Sequence, residues 1–523
     1  MWEILLTIAV VGFTAFYFYV RYKMTYWRRM GVAEDPGSFP FGAQFMKDFI
    51  FRRTSFFQMT DEVYKRFPDA PFVGTYGMLG SPTLLIRDPD LAKRVLIKDF
   101  DQFMERKPKS SHLHSKNNRH LPYFLLELQG DQWKKVRASL SPGFTSGKLK
   151  SMVPLIHRVA DNCNECLSKK VGESFLIKDV LGNFSMDVIV STGFGYESNT
   201  FKDPSNIFKK HADLLVTKKL SLRLMAKVIV FMFAPRLARW LDFHILDPEA
   251  EQFFVEAILK AIKERQESGE RRNDFIDICT DVLKKEAENP TNFTISDNTT
   301  DQQMKDDARK KEVERILIAN SIIMFMAGYN QVSTVATMML YFMAKNPEYQ
   351  ERLYQEISEA VKVAGTDQLD YSVVMNLPYM EMFFQETFRM YPFGHLERAS
   401  VNPYKIPGTD VTIPKDVIVR FAAGGIAKDP KYYPNPEVFN PQNFTAANKN
   451  ARHPLASGGF GHGPRNCIAQ RFATMEIKIL IARILTKFRI LPCNKTIDVL
   501  IPNPRSRQHQ PIGEIWITVE LRS

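Results

Sequence analysis

Phe460-Gly461-His462-Gly463-Pro464-Arg465-Asn466-Cys467-Ile468-Ala469 brings one cysteine out of a glycine- and proline-rich turn and straight into a helical pattern, expected from about Ile468 to Phe488. A thiol beside an arginine and near a helix N-terminus has its thiolate form favoured. The N–H groups of a tight loop can also donate to the sulfur and tune an iron bound there. A buried structural cysteine is the plainer alternative, which these residues alone leave open.

The stretch resembles the haem-binding signature F-x-x-G-x-R-x-C-x-G of cytochromes P450, matched by Phe460, Gly463, Arg465 and Cys467. Ala469 stands where the final glycine is expected, a small-for-small change that still permits close approach of a helix to a porphyrin. The resemblance implies a mainly α fold with a small β portion and haem b as cofactor. It makes Cys467 the axial thiolate and sole protein ligand of the metal, sets Phe460 to shield the sulfur, and pairs Arg465 with a haem propionate.

Other stretches agree. Glu386-Thr387-Phe388-Arg389 sits on a helix opened by Asn376-Leu377-Pro378, and i,i+3 spacing lets its two charges pair. It resembles the family's buried E-x-x-R, a structural anchor. The third member, a meander arginine, is replaced within Pro441-Gln442-Asn443-Phe444 by Asn443, an amide that hydrogen-bonds but adds no charge. Trp133-Lys134-Lys135-Val136-Arg137 resembles the W-x-x-x-R helix, whose Trp133 and Arg137 would reach the propionates. Arg106 and Arg398 align with further propionate partners, and carboxylates taken inside a protein need such compensation. The resemblance is nearest to the microsomal 3A subfamily and its clan, through Leu140 to Lys150 and Phe184 to Ile189.

From Trp2 to Val20 the only charge is Glu3, and nineteen helical residues rise about 28 Å, close to a bilayer core. Arg21, Lys23, Arg28 and Arg29 follow the span, and no positive side chain precedes it. That pattern predicts an N-terminal transmembrane anchor in residues 1–30 rather than a cleaved signal, with the body facing the cytosol. The expected location is the endoplasmic reticulum membrane. Residues 31–523 then form one haem-thiolate catalytic domain, entered through a hinge at Asp35-Pro36-Gly37 and Phe39-Pro40-Phe41-Gly42. The sequons at Asn292 and Asn298 would face the cytosol and carry no glycan.

Three of the twelve excess positive charges lie in residues 1–30, leaving a basic body that suits acidic partners or an anionic membrane surface. Lys and Arg are dispersed without a zinc-finger or RNA-recognition signature, so nucleic acid is not expected as a partner. Five cysteines, an odd number, argue against a disulfide framework, and Cys163-x-x-Cys166 lacks a second pair for zinc.

Between Thr83 and Ile86, and again over 396–422, the pattern is β-like; elsewhere helices are predicted over 148–168, 205–233, 247–286, 312–345 and 347–363. Residues 288–311 are polar and predict a solvated loop.

Glu312 to Tyr341 is apolar nearly all round, as expected of a helix buried in a large protein; Asn320, Asn330 and Gln331 interrupt it and argue against a second span. In the family this helix crosses above the haem, and its A-G-x-[DE]-T centre relays the protons needed to split dioxygen. Here the window reads Ala327-Gly328-Tyr329-Asn330-Gln331, with amides in place of acid and alcohol. Neither amide is an ordinary proton donor near neutral pH, but each can hold a water that is.

The favoured reading is a monooxygenase that inserts one oxygen atom from dioxygen into a lipophilic small molecule, with electrons from NADPH-cytochrome P450 reductase and Asn330 and Gln331 ordering water. The alternative is a haem-thiolate isomerase or dehydratase acting on lipid hydroperoxides or endoperoxides. A non-enzymatic haem or lipid carrier is a third possibility, against which the retained Cys467 speaks. By resemblance the substrate pocket draws on 121–128, 215–233, 320–327, 393–396 and 502–507, and the reductase would meet Lys134, Lys135 and Arg471.

Overall fold

A computed structural model describes the chain apart from residues 56–57, 59, 108–117, 204, 216–226, 228–229, 231–236, 238–239, 242–243, 289–301, 393–395, 505–510 and 523, and the side chains of 286–287 and 302–308. The two sequons and parts of the expected pocket segments 215–233, 393–396 and 502–507 lie outside the described residues.

The helix Gln302–Lys345 runs through the middle of the body, with Val313, Ile316, Phe325, Ala336, Met339 and Met343 buried on all sides. Apolar residues around the whole circumference leave it no stable place but a core. It begins ten residues earlier than the apolar pattern, so the end of the polar stretch 288–311 is helix rather than loop. Polar side chains inside it are satisfied locally: Ser333 Oγ donates to the Tyr329 carbonyl (2.9 Å) and Thr334 Oγ1 to the Asn330 carbonyl (2.7 Å).

Its closest neighbour is Ile177–Ile189, and glycine sets the distance. A Cβ on Gly328 would lie 2.7 Å from Ile189 Cδ1, so the two helices meet where one has no side chain. Ser185 Oγ then donates across the interface to the Tyr329 carbonyl at 2.8 Å.

Ser146–Ser168, Pro347–Ala364 and Pro378–Met390 match the predicted helical patterns, and Gln470–Leu485 lies within the helix predicted after the cysteine loop. The run 247–286 is two helices, Pro248–Ser268 and Phe275–Glu288. Gly269 takes φ +67° and stops the first. The bend lets buried Arg265 reach Asp274 at 2.7 Å and Asp277 at 3.4 Å.

A four-stranded sheet is ordered Phe72–Tyr76, Pro82–Ile86, Ile418–Phe421, Leu396–Ala399. The first pair is an antiparallel hairpin; Pro82–Ile86 pairs parallel with Ile418–Phe421, and Leu396–Ala399 closes the sheet antiparallel. A single bridge between Glu105 and Ala399, with the Ala399 N–H donating to the Glu105 carbonyl at 2.7 Å, sets Arg106 beside Arg398. A second sheet joins Phe488–Pro492, Trp516–Leu521 and Phe175–Leu176.

The predicted hinge after the apolar helix Trp2–Lys23 is instead a packed joint. Trp27 is fully buried, its indole N–H donating to the Thr75 carbonyl at 3.1 Å. Gly74 leaves it room, since a Cβ there would lie 2.2 Å from Trp27 Cγ. Gly74→Ala should therefore push Trp27 from its seat and cost about 1–3 kcal/mol, the usual range for overpacking. A urea melt checks this through a lower midpoint at unchanged slope.

Candidate haem site

Gly461 and Gly463 both take positive φ (+78° and +73°), which coils the loop tightly enough for the Cys467 N–H to donate to the Phe460 carbonyl at 2.9 Å. Gly463 is doubly required, because a Cβ would lie 1.9 Å from the Leu96 carbonyl oxygen. Cys467 then stands three residues before the helix Gln470–Leu485, its thiol a free one.

Support for this loop comes from the E-x-x-R helix. Glu386 and Arg389 are fully buried and paired at 2.7 Å. Arg389 also donates to the carbonyls of Ala427 (2.9 Å), Pro436 (2.6 Å) and Val438 (2.9 Å), which ties down the meander. Phe388, between them, packs on Phe460 with ring centroids 5.0 Å apart, and a Cβ on Gly459 would lie 2.1 Å from the Phe388 ring. Asn443 supplies what an amide can, an N–H to Glu386 Oε1 at 3.2 Å. A second cation does stand nearby: Arg452 lies over the rings of Tyr433 (4.3 Å) and Phe444 (5.0 Å), within the field of Glu386.

Cys467 and Gln331 face one cavity of about 350 Å³, between the cysteine loop and the central helix. Arg106, Trp133, Arg137, Phe460 and Arg465 line it too, as do apolar residues including Leu125, Ile323 and Val335. Arg465 is fixed by main-chain carbonyls: Met104 at 3.0 Å, Leu125 at 3.3 Å and Leu128 at 2.8 Å, with Glu105 at 3.6 Å and the Trp133 ring beneath it at 4.1 Å. Arg137 is held by Asn466, through its carbonyl at 2.8 Å and its side-chain oxygen at 3.0 Å. Asn320 of the central helix fastens the loop that carries Leu125, accepting from its N–H at 2.9 Å and donating to the Tyr123 carbonyl at 3.0 Å.

Arg398 is 1% exposed and lies behind this wall, close to Arg106. Among the described residues its Nε and Nη2, and the Nε of Arg106, have no hydrogen-bond partner. Burial, reinforced by the charge of Arg106, lowers Arg398 to about 9; burial followed by Arg106 does the same to Arg465. Such a concentration of guanidinium groups needs anions.

The Cys467 thiol responds differently from the sequence expectation. Burial raises its pKa above the ordinary value, outweighing the Ala469 N–H and the charges of Arg137 and Arg106, which pull it down. A coordinated metal reverses that balance, because it deprotonates a thiol outright. Among the described residues no cluster of three His, Cys, Asp or Glu could hold a metal by itself. A single sulfur fits an ion whose remaining ligands come from a macrocycle.

A family model described as Cytochrome P450 matches residues 41–512. Cytochrome P450 6B7 of Helicoverpa armigera is 32% identical over 526 residues, covering 100% of this chain and 99% of that protein. Cytochrome P450 6k1 of Blattella germanica is 31% identical over 495 residues (94% and 92%), and the probable cytochrome P450 6a14 of Drosophila melanogaster is 31% identical over 531 (99% and 99%).

The chain belongs to the cytochrome P450 family. It is thus an oxidoreductase of the monooxygenase class whose cofactor is haem b bound through a cysteine thiolate. The residues present fit that group: one thiol at the floor of the cavity, and unpaired guanidinium N–H groups at its edge suited to two propionates.

Sequence reading placed Asn330 and Gln331 together, and the structure separates them. Gln331 opens into the cavity with Cys467, whereas Asn330, 7% exposed, lines a different cavity of about 180 Å³ with Lys178, Asp179, Asp213 and Thr334. One step along a helix turns a side chain by about 100°, enough here to carry Asn330 away from the wall that Gln331 shares with Ala327, Gly328 and Val332. Glu105, Asn466 and Arg452 went unnoticed in the sequence; their adjacency to Arg106, Cys467 and the meander was the only signal.

The buried charge of Arg398, which Glu397 offsets only in part, has a signed consequence. Arg398→Met should stabilise the haem-free protein by about 1–3 kcal/mol, as replacing a costly buried charge with a packed apolar chain does. The same substitution should weaken haem retention. Parallel denaturant melts of the two forms read both signs.

Proposed function

We propose that this cytochrome P450 inserts one oxygen atom from dioxygen into a lipophilic small molecule, drawing electrons from NADPH-cytochrome P450 reductase. The observation that carries this is the shared cavity: Cys467 on one side, Gln331 on the other, and mostly apolar side chains between them. Cys467 would hold the haem iron through its thiolate, Phe460 would shield the sulfur, and Arg106, Trp133, Arg137, Arg398 and Arg465 would pair with the propionates. Bound haem supplies the activation of dioxygen and the transfer of one of its atoms.

The protein's own part follows from the geometry. Arg465 and Arg137, locked by carbonyls and Asn466, would present their guanidinium groups to the bound cofactor from fixed positions. Leu125, Ile323, Met324 and Val335 exclude bulk water and favour an apolar substrate. From Ala327 to Val335 the lining residues are Ala327, Gly328, Gln331, Val332 and Val335, so Gln331 is the polar group available to hold a water over the reacting centre. Asn330 lines the second cavity and not the space that holds Cys467.

The apolar helix Trp2–Lys23 fits a membrane anchor, and the basic residues after it favour the endoplasmic reticulum membrane with the body in the cytosol. Docking of a reductase falls to the face bearing Lys134, Lys135 and Arg471. Lys134 is already paired with Asp101 at 3.4 Å, but both ends are exposed and such a pair is readily exchanged.

Loss of both relay groups from the cavity favours a second reading, the rearrangement of lipid hydroperoxides or endoperoxides, which bring their own O–O bond. Single-turnover experiments on purified protein decide: dioxygen with reductase and NADPH against a lipid hydroperoxide alone. Product in the first arm is expected, and product only in the second would defeat the monooxygenase reading. Gln331→Thr should raise product formed per NADPH several-fold, and Asn330→Asp should change it less.

A further inference from the structure

Glu105 is a carboxylate built into the guanidinium cluster. It is 4% exposed and is held from three sides. Its main-chain carbonyl accepts the Ala399 N–H at 2.7 Å, its Oε1 accepts the Gly130 N–H at 2.9 Å, and its Oε2 lies 3.6 Å from Nη2 of Arg465. Gly130 opens the helix Gly130–Leu140, so the carboxylate takes up one of the N–H groups that a helix N-terminus leaves unpaired, an environment that favours its charged form. The same helix carries Arg137 and Trp133, whose ring lies 4.1 Å from the Arg465 guanidinium. One residue therefore joins the sheet edge, this helix and the cysteine loop.

Other acids reach the cluster less directly. Glu127 and Glu397 act on Arg106 through their fields, but each also faces a cation outside it: Lys107 at 2.8 Å and Arg420 at 3.7 Å. Arg465 is pulled down by burial and then by Arg106, with Arg398 and Arg137 adding to this, and Glu105 is the acid that opposes them. Main-chain carbonyls supply the rest of its partners. Reduction of a haem iron by one electron adds one negative charge to this interior. Each guanidinium favours that addition, and a fixed carboxylate among them opposes it, more strongly than it would in water.

We propose that Glu105 is a positioning residue that tunes the reduction potential of the haem, its carboxylate offsetting part of the guanidinium cluster and so favouring ferric over ferrous iron. This rests on the haem site described above. The role needs an acid: an amide could accept the Gly130 N–H equally well, but it would leave the charge of Arg465 unopposed.

Spectroelectrochemical titration of the full-length holoprotein tests it. Glu105→Gln keeps the size and an oxygen for the Gly130 N–H but loses the charge. Glu105→Ser loses the charge as well, in a smaller side chain, and Glu105→Asp keeps it. Glu127→Gln removes an acid that is paired outward. At a fixed ambient potential, both charge-free variants should move the iron about three- to tenfold toward ferrous, about 30–60 mV for a one-electron couple. Glu105→Asp and Glu127→Gln should stay nearer the native value. An unchanged potential in Glu105→Gln or Glu105→Ser, with the thiolate-type carbon monoxide spectrum intact, would overturn the role of Glu105 and leave the haem site standing. An equal shift in Glu105→Asp would overturn it too, by reducing Glu105 to a structural contact. So would loss of haem from both charge-free variants, since removing an anion from a guanidinium cluster should strengthen its hold on propionates. Absence of the thiolate-type spectrum from the native protein would instead overturn the haem site, and the role of Glu105 with it.

Discussion

Four guanidinium groups, those of Arg106, Arg137, Arg398 and Arg465, converge around Cys467 with too little negative charge to balance them. Glu105 stands 3.6 Å from Arg465, and the remaining bonds to that side chain are main-chain carbonyls, which orient a guanidinium without neutralising it. A protein keeps such a cluster inside only when something anionic completes it. Each member arrives from a different part of the chain: the sheet edge brings Arg398, the Glu105–Ala399 bridge brings Arg106, the helix Gly130–Leu140 brings Arg137, and the cysteine loop brings Arg465. The sheet, small as it is, is therefore as much part of the site as the helices.

The other wall depends on the central helix. Gly328 lets it lie against Ile189, and Asn320 uses both ends of its amide to hold the loop that fixes Arg465. That packing fixes the helix's rotation, and rotation decides what each polar residue can do. Gln331 faces the cavity with Cys467, while Asn330 faces a second cavity shared with Asp179, Asp213 and Lys178. The two amides that stand in the place of the family's acid and alcohol therefore open into two different cavities.

The cysteine loop, the buried Glu386–Arg389 pair and the apolar N-terminal helix were legible in the sequence because each is a short-range pattern tied to one chemistry. The facing of Asn330 was not, since a helix apolar all round offers no polar face from which to read its rotation. Gly269 hid a break because one glycine within a periodic run is usually tolerated, and the pairing of Arg265 with Asp274 across the bend shows only in the folded chain. The expected hinge failed for a similar reason: Pro36 and Gly37 look like breakers, but Trp27 finds its seat only once Gly74 is in a strand. Asn443 looked like a loss of charge. Arg452, nine residues on, is brought near by the fold.

The account stands on Cys467 as the iron ligand, and the absorption spectrum of the reduced carbon monoxide complex tests that most directly. The native protein should give the strongly red-shifted Soret band of a thiolate ligand, and Cys467→Ala should lose it while the fold, read by circular dichroism, persists. Survival of that band in a folded Cys467→Ala protein would contradict the assignment.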